Sequence, residues 1–169
     1  MTTHTDAELA ALVGLLTADR VGVETVAIGH GRDDASRAAA HAFAEAWQAR
    51  GGTVLARVDW PEDAASWLRP ARRLTAQTPD AWVIAAAVPG FARLARRLRR
   101  STDFDPARAV AFASLGDPRL PALAGPGTLD GLRGATADGG TWEVRDGRLR
   151  GDRIRDDRLT SDHPNGTSS

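Results

Sequence analysis

The chain has 169 residues, which is enough for one domain with a hydrophobic core. Its 22 basic residues, all of them arginine, balance 22 acidic ones, and this zero net charge argues against a nucleic-acid partner, which needs a concentrated positive field. Cysteine is absent, which excludes disulfides and thiolate ligands, and no apolar run reaches the ~20 residues of a membrane-spanning helix. Because the first residues do not read as a secretion signal, we expect a soluble, cytoplasmic protein without a membrane partner.

The first two elements are predicted to be a helix and a strand. Leucine and valine recur at helical spacing over residues 6–18, and Thr5 or Asp6 can cap the free amides at the start of this helix. Residues 21–28 are apolar and rich in β-branched side chains, which is typical of a buried strand. We expect this strand to end in a tight Gly-His-Gly loop at residues 29–31.

A second helix and a second strand follow. Asp33 or Asp34 can cap the helix, and apolar side chains form one stripe along it. Gly51 and Gly52 end it, since glycine readily adopts the left-handed conformation of a helix C-terminal cap. Residues 53–58 predict the second strand, which gives the order strand, helix, strand.

The central part of the chain repeats this order. A third helix opens at residues 61–63, although Pro70 inside the pattern predicts either a kink or a late start. Residues 81–88 form an unbroken apolar run, which is typical of a parallel strand covered on both faces. Pro89 suits the first turn of a fourth helix, and residues 107–113 predict a fourth strand.

The pattern becomes less regular after the fourth strand. Proline and glycine interrupt residues 116–130, which predicts a loop with at most a short helix. Residues 134–137 predict a short fifth strand, and residues 141–150 alternate around an Asp-Gly pair as in a β-hairpin with a type I′ turn. From residue 152 onward charged and small residues replace apolar ones, so this tail is predicted to be disordered.

Alternating strands and helices predict an α/β fold with a doubly wound, mostly parallel sheet of four to five strands. We divide the chain into an N-terminal helix (1–20), an α/β lobe that ends in the hairpin (21–151) and the disordered tail (152–169). Ligands of such sheets bind at the carboxyl ends of the strands. Here these ends lie at residues 29–34, 59–62, 88–91 and 114–117.

Four stretches of the sequence carry a family resemblance. They are VAIGHGRDD (26–34), AFAEAWQARGGTVLARVDWPEDAASW (42–67), TPDAWVIAAAVPGFARLARRLR (78–99) and GTWEVRDGRLRGD (140–152). In order they contain a helix that ends in glycines, a strand, an acidic residue before the next helix, and Pro-Asp before a buried strand. This ordered set resembles the second lobe of type 1 periplasmic binding proteins, in the branch that binds leucine, isoleucine, valine and amides.

The resemblance implies a noncatalytic lobe that binds or senses a small polar molecule, such as an amino acid or an amide. Members of this family close two lobes around the ligand, so we expect a homodimer or a partner protein to supply the second lobe. The family commonly has an acidic residue and a tyrosine in the loop after the first strand. Here Asp34 is followed by Ala35, Ser36 and Arg37, and the chain contains no tyrosine, so the ligand stays open.

We expect the ligand to meet six residues at the strand ends, namely Arg32, Asp33, Ser36, Pro89, Gly90 and Asp117. No cofactor and no metal are predicted, because the four histidines are scattered and the acidic residues of the tail lack the spacing of a calcium loop. His30 as a general base and Ser114 as a nucleophile are alternatives, but neither lies in the motif that such a role requires.

Two other functions stay open at this point. The first is a protein-interaction module that docks through Trp60, Trp67 or Trp142, since tryptophan is favoured at interface hot spots. The second is a small Rossmann-like nucleotide-binding enzyme with a pocket at residues 29–34 and Asp59 as the ribose acceptor. An exposed apolar patch would favour the module, and a deep pocket with converging polar groups would favour the enzyme.

Overall fold

The computed structural model describes residues 1–18 and 22–151 of the chain. Within them, five α-helices flank a seven-stranded sheet. The helices are α1 (Asp6–Ala18), α2 (Asp34–Ala49), α3 (Leu68–Thr75), α4 (Val88–Ser101) and α5 (Arg119–Ala124). The strands are β1 (Thr25–Gly31), β2 (Thr53–Trp60), β3 (Ala81–Ala85), β4 (Ala109–Ala111), β5 (Arg133–Ala135), β6 (Thr141–Arg145) and β7 (Arg148–Gly151). None of the described helices is long and apolar enough to cross a membrane.

The strands form one sheet in the order β2-β1-β3-β4-β5-β6-β7. The first five in this order pair in parallel, with registers such as Ile28 opposite Val83 and Val83 opposite Val110. β6 and β7 join the same sheet in antiparallel pairing. The predicted α/β fold with a mostly parallel sheet is therefore confirmed, with five parallel strands and the hairpin as an extension of their sheet.

Helices cover both faces of the sheet. On one face, α1 and α2 bury Phe43 and Trp47 against the strands, and the two rings stack with 5.9 Å between their centroids. On the other face, α3, α4 and α5 pack around Trp60, Trp82 and Phe91. β3 is buried along its whole length because it lies between these two layers, as its unbroken apolar run predicts.

Local hydrogen bonds fix where the first helices begin. At α1 the Thr5 hydroxyl accepts from the Glu8 amide and the Glu8 carboxylate accepts from the Thr5 amide, both at 3.1 Å, which is a reciprocal capping box. Asp33 caps α2 by accepting from the Ser36 amide at 3.1 Å. α3 starts late, so that Pro70 falls in its first turn, where the missing amide donor costs nothing.

The first strand differs from its prediction at both ends. β1 begins at Thr25 and continues through Gly31, whereas the pattern predicts residues 21–28. The Gly-His-Gly segment at 29–31 is strand rather than loop, because β2 pairs with all of it and β3 pairs with its first two residues. Residue 21 lies outside the described residues.

β3 and β4 are shorter than the apolar runs that predict them. β3 ends at Ala85, because Val88 already begins α4. β4 covers only Ala109–Ala111, because 3₁₀ turns at Pro106–Arg108 and Ala113–Leu115 take most of the remaining predicted segment. The length of an apolar run therefore reports burial, while pairing with neighbouring strands sets the strand ends.

The two ends of the described chain are tied into the lobe in different ways. α1 places Leu12 and Leu16 in the core that α2 shares with the sheet. The hairpin turn has φ of 52° at Asp146 and 70° at Gly147, as in the predicted type I′ turn. The tail at 152–169, predicted to be disordered, lies outside the described residues.

Candidate functional site

The parallel strands end at one edge of the sheet, which we call the carboxyl edge. It comprises the ends of β1 to β4 and the segments that follow them, at residues 30–36, 59–62, 86–90 and 112–117. Open parallel sheets bind ligands at this edge because the loops there diverge and leave a crevice. The six predicted site residues all lie within these segments.

Asp33 and Ser36 form one compact unit at the start of α2. The Ser36 hydroxyl donates to Asp33 Oδ1 at 2.6 Å and the Ser36 amide donates to Asp33 Oδ2 at 3.1 Å. Burial raises the pKa of Asp33, but these two hydrogen bonds together with the positive charge of the N-terminal ammonium outweigh it and hold the pKa below its ordinary value. Ser36 is fully buried, so its hydroxyl serves the helix cap and does not face solvent.

Glu62 lies over the start of α4, beside the predicted site residues Pro89 and Gly90, and is not itself predicted from the sequence. Its Oε2 accepts from the Gly90 amide at 2.8 Å, and a Cβ at position 90 would collide with both of its oxygens. Burial raises the pKa of Glu62, the Gly90 hydrogen bond opposes this, and the negative charge of Asp33 raises the pKa further. The net pKa of Glu62 lies above its ordinary value. Part of this rise comes from electrostatic repulsion between the carboxylates of Glu62 and Asp33.

The remaining predicted residues lie at the rim of the carboxyl edge. The Arg32 guanidinium is 3.6 Å from Asp59 Oδ1, and both side chains are about half exposed. Asp117 accepts from the Arg119 side chain, with 2.8 Å between Oδ2 and Nη2. These hydrogen bonds hold the pKa of Asp117 below its ordinary value. Among the described residues, Asp117 makes no hydrogen bond or ion pair with the other five predicted residues.

The N-terminal segment, Met1–Thr5, crosses the carboxyl edge on the α2 side of the sheet. The Met1 side chain is only 1% exposed, and the Ser36 hydroxyl lies 3.2 Å from its sulfur. At the other end of the segment the Thr5 hydroxyl donates to the Ala137 carbonyl. Glu8 then anchors α1 by accepting from the Ala113 amide at 2.6 Å. The segment therefore covers Ser36, and its N-terminal ammonium lies 4.0 Å from Asp33 Oδ2 and also lowers the pKa of Glu62.

The two residues considered for catalysis make main-chain contacts. His30 is 8% exposed, and its Nδ1 lies 2.6 Å from the Gly31 carbonyl, which accepts when Nδ1 carries the proton. The Ser114 hydroxyl donates to the Ala86 carbonyl at 2.8 Å and so links the ends of β3 and β4. Among the described residues, no group of three or more histidines and carboxylates is arranged to hold a metal ion.

The glycines and tryptophans that suggested other functions have structural surroundings. The space in front of Gly29, where a pyrophosphate would approach, is filled by the Trp60 ring, so that a Cβ there would come within 2.9 Å of it. Trp60 and Trp142 are 1% and 4% exposed, and Trp67 packs partly against the core. The exposed large hydrophobic side chain in the described part of the chain is Leu123. None of the three tryptophans forms an exposed docking patch.

Several solved structures have a similar fold. A substrate-binding periplasmic protein from Ralstonia solanacearum aligns with 80% of this chain and 37% of its own length, at 17% identity and a TM-score of 0.67. A leucine-binding protein from Thermotoga maritima aligns with 76% of this chain and 36% of its own length, at 20% identity and a TM-score of 0.62. An extracellular ligand-binding receptor from Rhodopseudomonas palustris aligns with 79% of this chain and 36% of its own length, at 20% identity and a TM-score of 0.63. At these identities the likeness establishes the fold.

The sequence itself gives the family. No curated protein matches the chain significantly. The chain spans about a third of the length of the solved structures that it matches. A family model described as periplasmic binding protein matches residues 1–151, which is most of the chain. The chain therefore belongs to the periplasmic binding protein family, and its described part has the fold of one lobe of such a protein.

Proposed function

We propose that this chain is a noncatalytic lobe that binds a small polar ligand, of the amino-acid or amide class, at its carboxyl edge. The observation that carries the proposal is the Glu62 carboxylate, held by the Gly90 amide at the start of α4 and facing the charge of Asp33. Only one Glu62 oxygen accepts from Gly90. The other oxygen is available to accept from an ammonium or amide group of a ligand.

A ligand held by this edge alone would keep one side in water. Small-molecule sites bury most of the ligand surface, and binding between two lobes achieves this by closure. We therefore propose that a second lobe, from a second copy of the chain or from a partner protein, completes the pocket.

The first experiment measures the mass of the protein by size-exclusion chromatography with light scattering, followed by thermal unfolding with a panel of amino acids, amides and nucleotides. We expect a dimer that an amino acid or amide stabilises, by about 2.7 kcal/mol at 100 times its dissociation constant. A monomer whose unfolding no member of the panel changes would contradict the proposal. Stabilisation by a nucleotide alone would instead favour the Rossmann-like enzyme.

A matched pair of variants then tests the residue that carries the proposal. Glu62→Gln keeps an oxygen for the Gly90 amide but removes the charge, so ligand affinity should fall about tenfold or more. Asp63→Asn removes one charge from the same loop but from a carboxylate for which no contact with α4 is found among the described residues, and it should leave affinity unchanged. Equal losses in both variants would mean that only the net charge of the loop matters.

A further inference from the structure

A cavity lies at the end of the sheet opposite to the carboxyl edge. It has a volume of about 280 Å³ and opens where the parallel strands begin, which we call the amino edge. The ends of α3 and α4, the loop before β3 and the turn before β4 form its walls, and Trp82 of β3 contributes to them. The proposed function at the carboxyl edge does not use this cavity.

One wall of the cavity carries a guanidinium group that is already held in place. Arg108 donates from Nε to the Asp80 carbonyl at 2.9 Å and from Nη2 to the Pro79 carbonyl at 2.7 Å. Its guanidinium carbon also lies 5.4 Å from the centroid of the Trp82 ring. An arginine has five N–H donors, so two hydrogen bonds leave further donors of the planar fork for a ligand.

The cavity also has donors that make no contact within the protein. The side chain of Arg72, on the last turn of α3, forms no ion pair or hydrogen bond with the described residues. The hydroxyls of Thr78 and Ser101 likewise have no side-chain hydrogen bond in that part of the chain. The neighbouring hydroxyls of Thr75 and Thr102 donate to helix carbonyls at 3.0 and 2.6 Å and are therefore occupied.

Thr78 adopts a backbone conformation that supports a role for its side chain. Its φ is 46°, in the left-handed region, which a β-branched residue rarely adopts because its side chain crowds the backbone. Such strain persists where the surrounding structure imposes it, and it is found preferentially at ligand sites. Thr78 lines the cavity together with Arg72 and Arg108.

We propose that this cavity binds a small oxyanion, a phosphate or carboxylate group of a small molecule. The side chains that line it include the two guanidinium groups of Arg72 and Arg108 and one carboxylate, that of Asp103. Guanidinium forks match the geometry of phosphate and carboxylate oxygens, and hydroxyls supply additional donors. The cavity volume of about 280 Å³ lies at the lower end of the range for small-molecule sites.

The test uses the full chain and two anions, inorganic phosphate and citrate, each compared with sodium chloride at equal ionic strength. Thermal unfolding and isothermal titration calorimetry measure binding to the wild type, to Arg72→Gln and to Arg73→Gln. Arg72 and Arg73 are both exposed on α3, but only Arg72 lines the cavity, so the two variants remove the same charge from the same helix. We expect Arg72→Gln to weaken binding of the anion about tenfold and Arg73→Gln to leave it unchanged.

Two results would overturn the proposal. The first is that neither anion stabilises the wild type more than chloride does. The second is an equal loss in the two variants, which would mean that anions respond to the net charge of α3 and that Arg72 serves only the helix end. The indole N–H of Trp82, which donates to the Leu74 carbonyl at 2.9 Å, gives an independent NMR signal beside the cavity that should shift with the same affinity.

Discussion

Asp33 serves two roles, since it caps α2 and also contributes negative charge to the carboxyl edge. Its cap is identifiable from sequence, because an aspartate before an apolar stripe is a common helix start. Glu62, the other carboxylate of the site, is harder to identify from the sequence. The Glu62–Gly90 hydrogen bond joins residues 28 positions apart and exists because Gly90 has no side chain in the way. Sequence spacing alone does not reveal such a long-range contact.

The cap of α2 gives a first prediction. Asp33→Ala removes the acceptor of the Ser36 amide and hydroxyl, and should lower the free energy of unfolding by about 1 kcal/mol. Asp34→Ala, one position into the helix, is the control and should cost less. Urea denaturation measures both variants. An Asp33→Ala variant as stable as the wild type would show that another group satisfies the Ser36 amide.

Asp80 gives a second prediction, which concerns pH. Hydrogen bonds from the Thr25 and Glu24 amides, each at 3.0 Å, hold the pKa of Asp80 below its ordinary value. A carboxylate with a lowered folded pKa stabilises the fold above its unfolded pKa, and this contribution is lost as the pH falls through the folded pKa. Asp80→Asn should therefore flatten the fall in stability between about pH 5 and pH 3. Urea midpoints measured across this range test it, and unchanged steepness in the variant would contradict it.

At the scale of elements, the order of helices and strands follows from the sequence, but several ends do not. The glycine pair at 51–52 ends α2 as predicted, and Gly51 has a φ of 91°. β1 extends beyond its β-branched run because neighbouring strands on both sides supply hydrogen bonds to a Gly-His-Gly segment of weak intrinsic preference. The 3₁₀ turn before β4 is capped by Asp105, which accepts from the Ala107 amide at 3.0 Å, and an apolar pattern does not predict such a local contact.

Close packing between β5 and β6 gives a third prediction. A Cβ at Gly134 would collide with the Trp142 ring and the Ala111 carbonyl, and the ring is fixed by its hydrogen bond to the Ala135 carbonyl at 3.1 Å. Gly134→Ala should therefore lower the free energy of unfolding by about 1–3 kcal/mol. Gly14→Ala is the matched control in open space on α1 and should raise it by about 0.5–1 kcal/mol, because alanine favours the helix. Denaturant unfolding distinguishes them, and equal effects would show that packing at Gly134 relaxes.

At the scale of the whole molecule, alternation of strands and helices predicts the parallel sheet, and the family resemblance predicts the lobe. The path of the N-terminal segment is not predictable in this way. Met1 reaches Ser36 and Thr5 reaches Ala137 through contacts across 35 and 132 positions, and neither residue belongs to a periodic pattern. The place of Ser36 after β1 predicts a ligand contact, whereas the structure buries Ser36 beneath Met1 of this segment.

The sheet gives a last prediction, which also bears on the second lobe. β3 is buried on both faces between β1 and β4, whereas β2 and β7 are the outer strands of the described sheet and are largely half exposed or exposed. Amide hydrogen exchange should therefore be slowest in β3. It should be faster at the amides of β2 and β7 that point away from the sheet, because edge amides open without unfolding the core. Exchange followed by NMR at two protein concentrations measures this order. If β2 or β7 exchanges as slowly as β3 and becomes faster on dilution, a second copy of the chain pairs with that edge. Such a result would place the dimer contact at the side of the sheet, and the second lobe would then have to approach the carboxyl edge from that side.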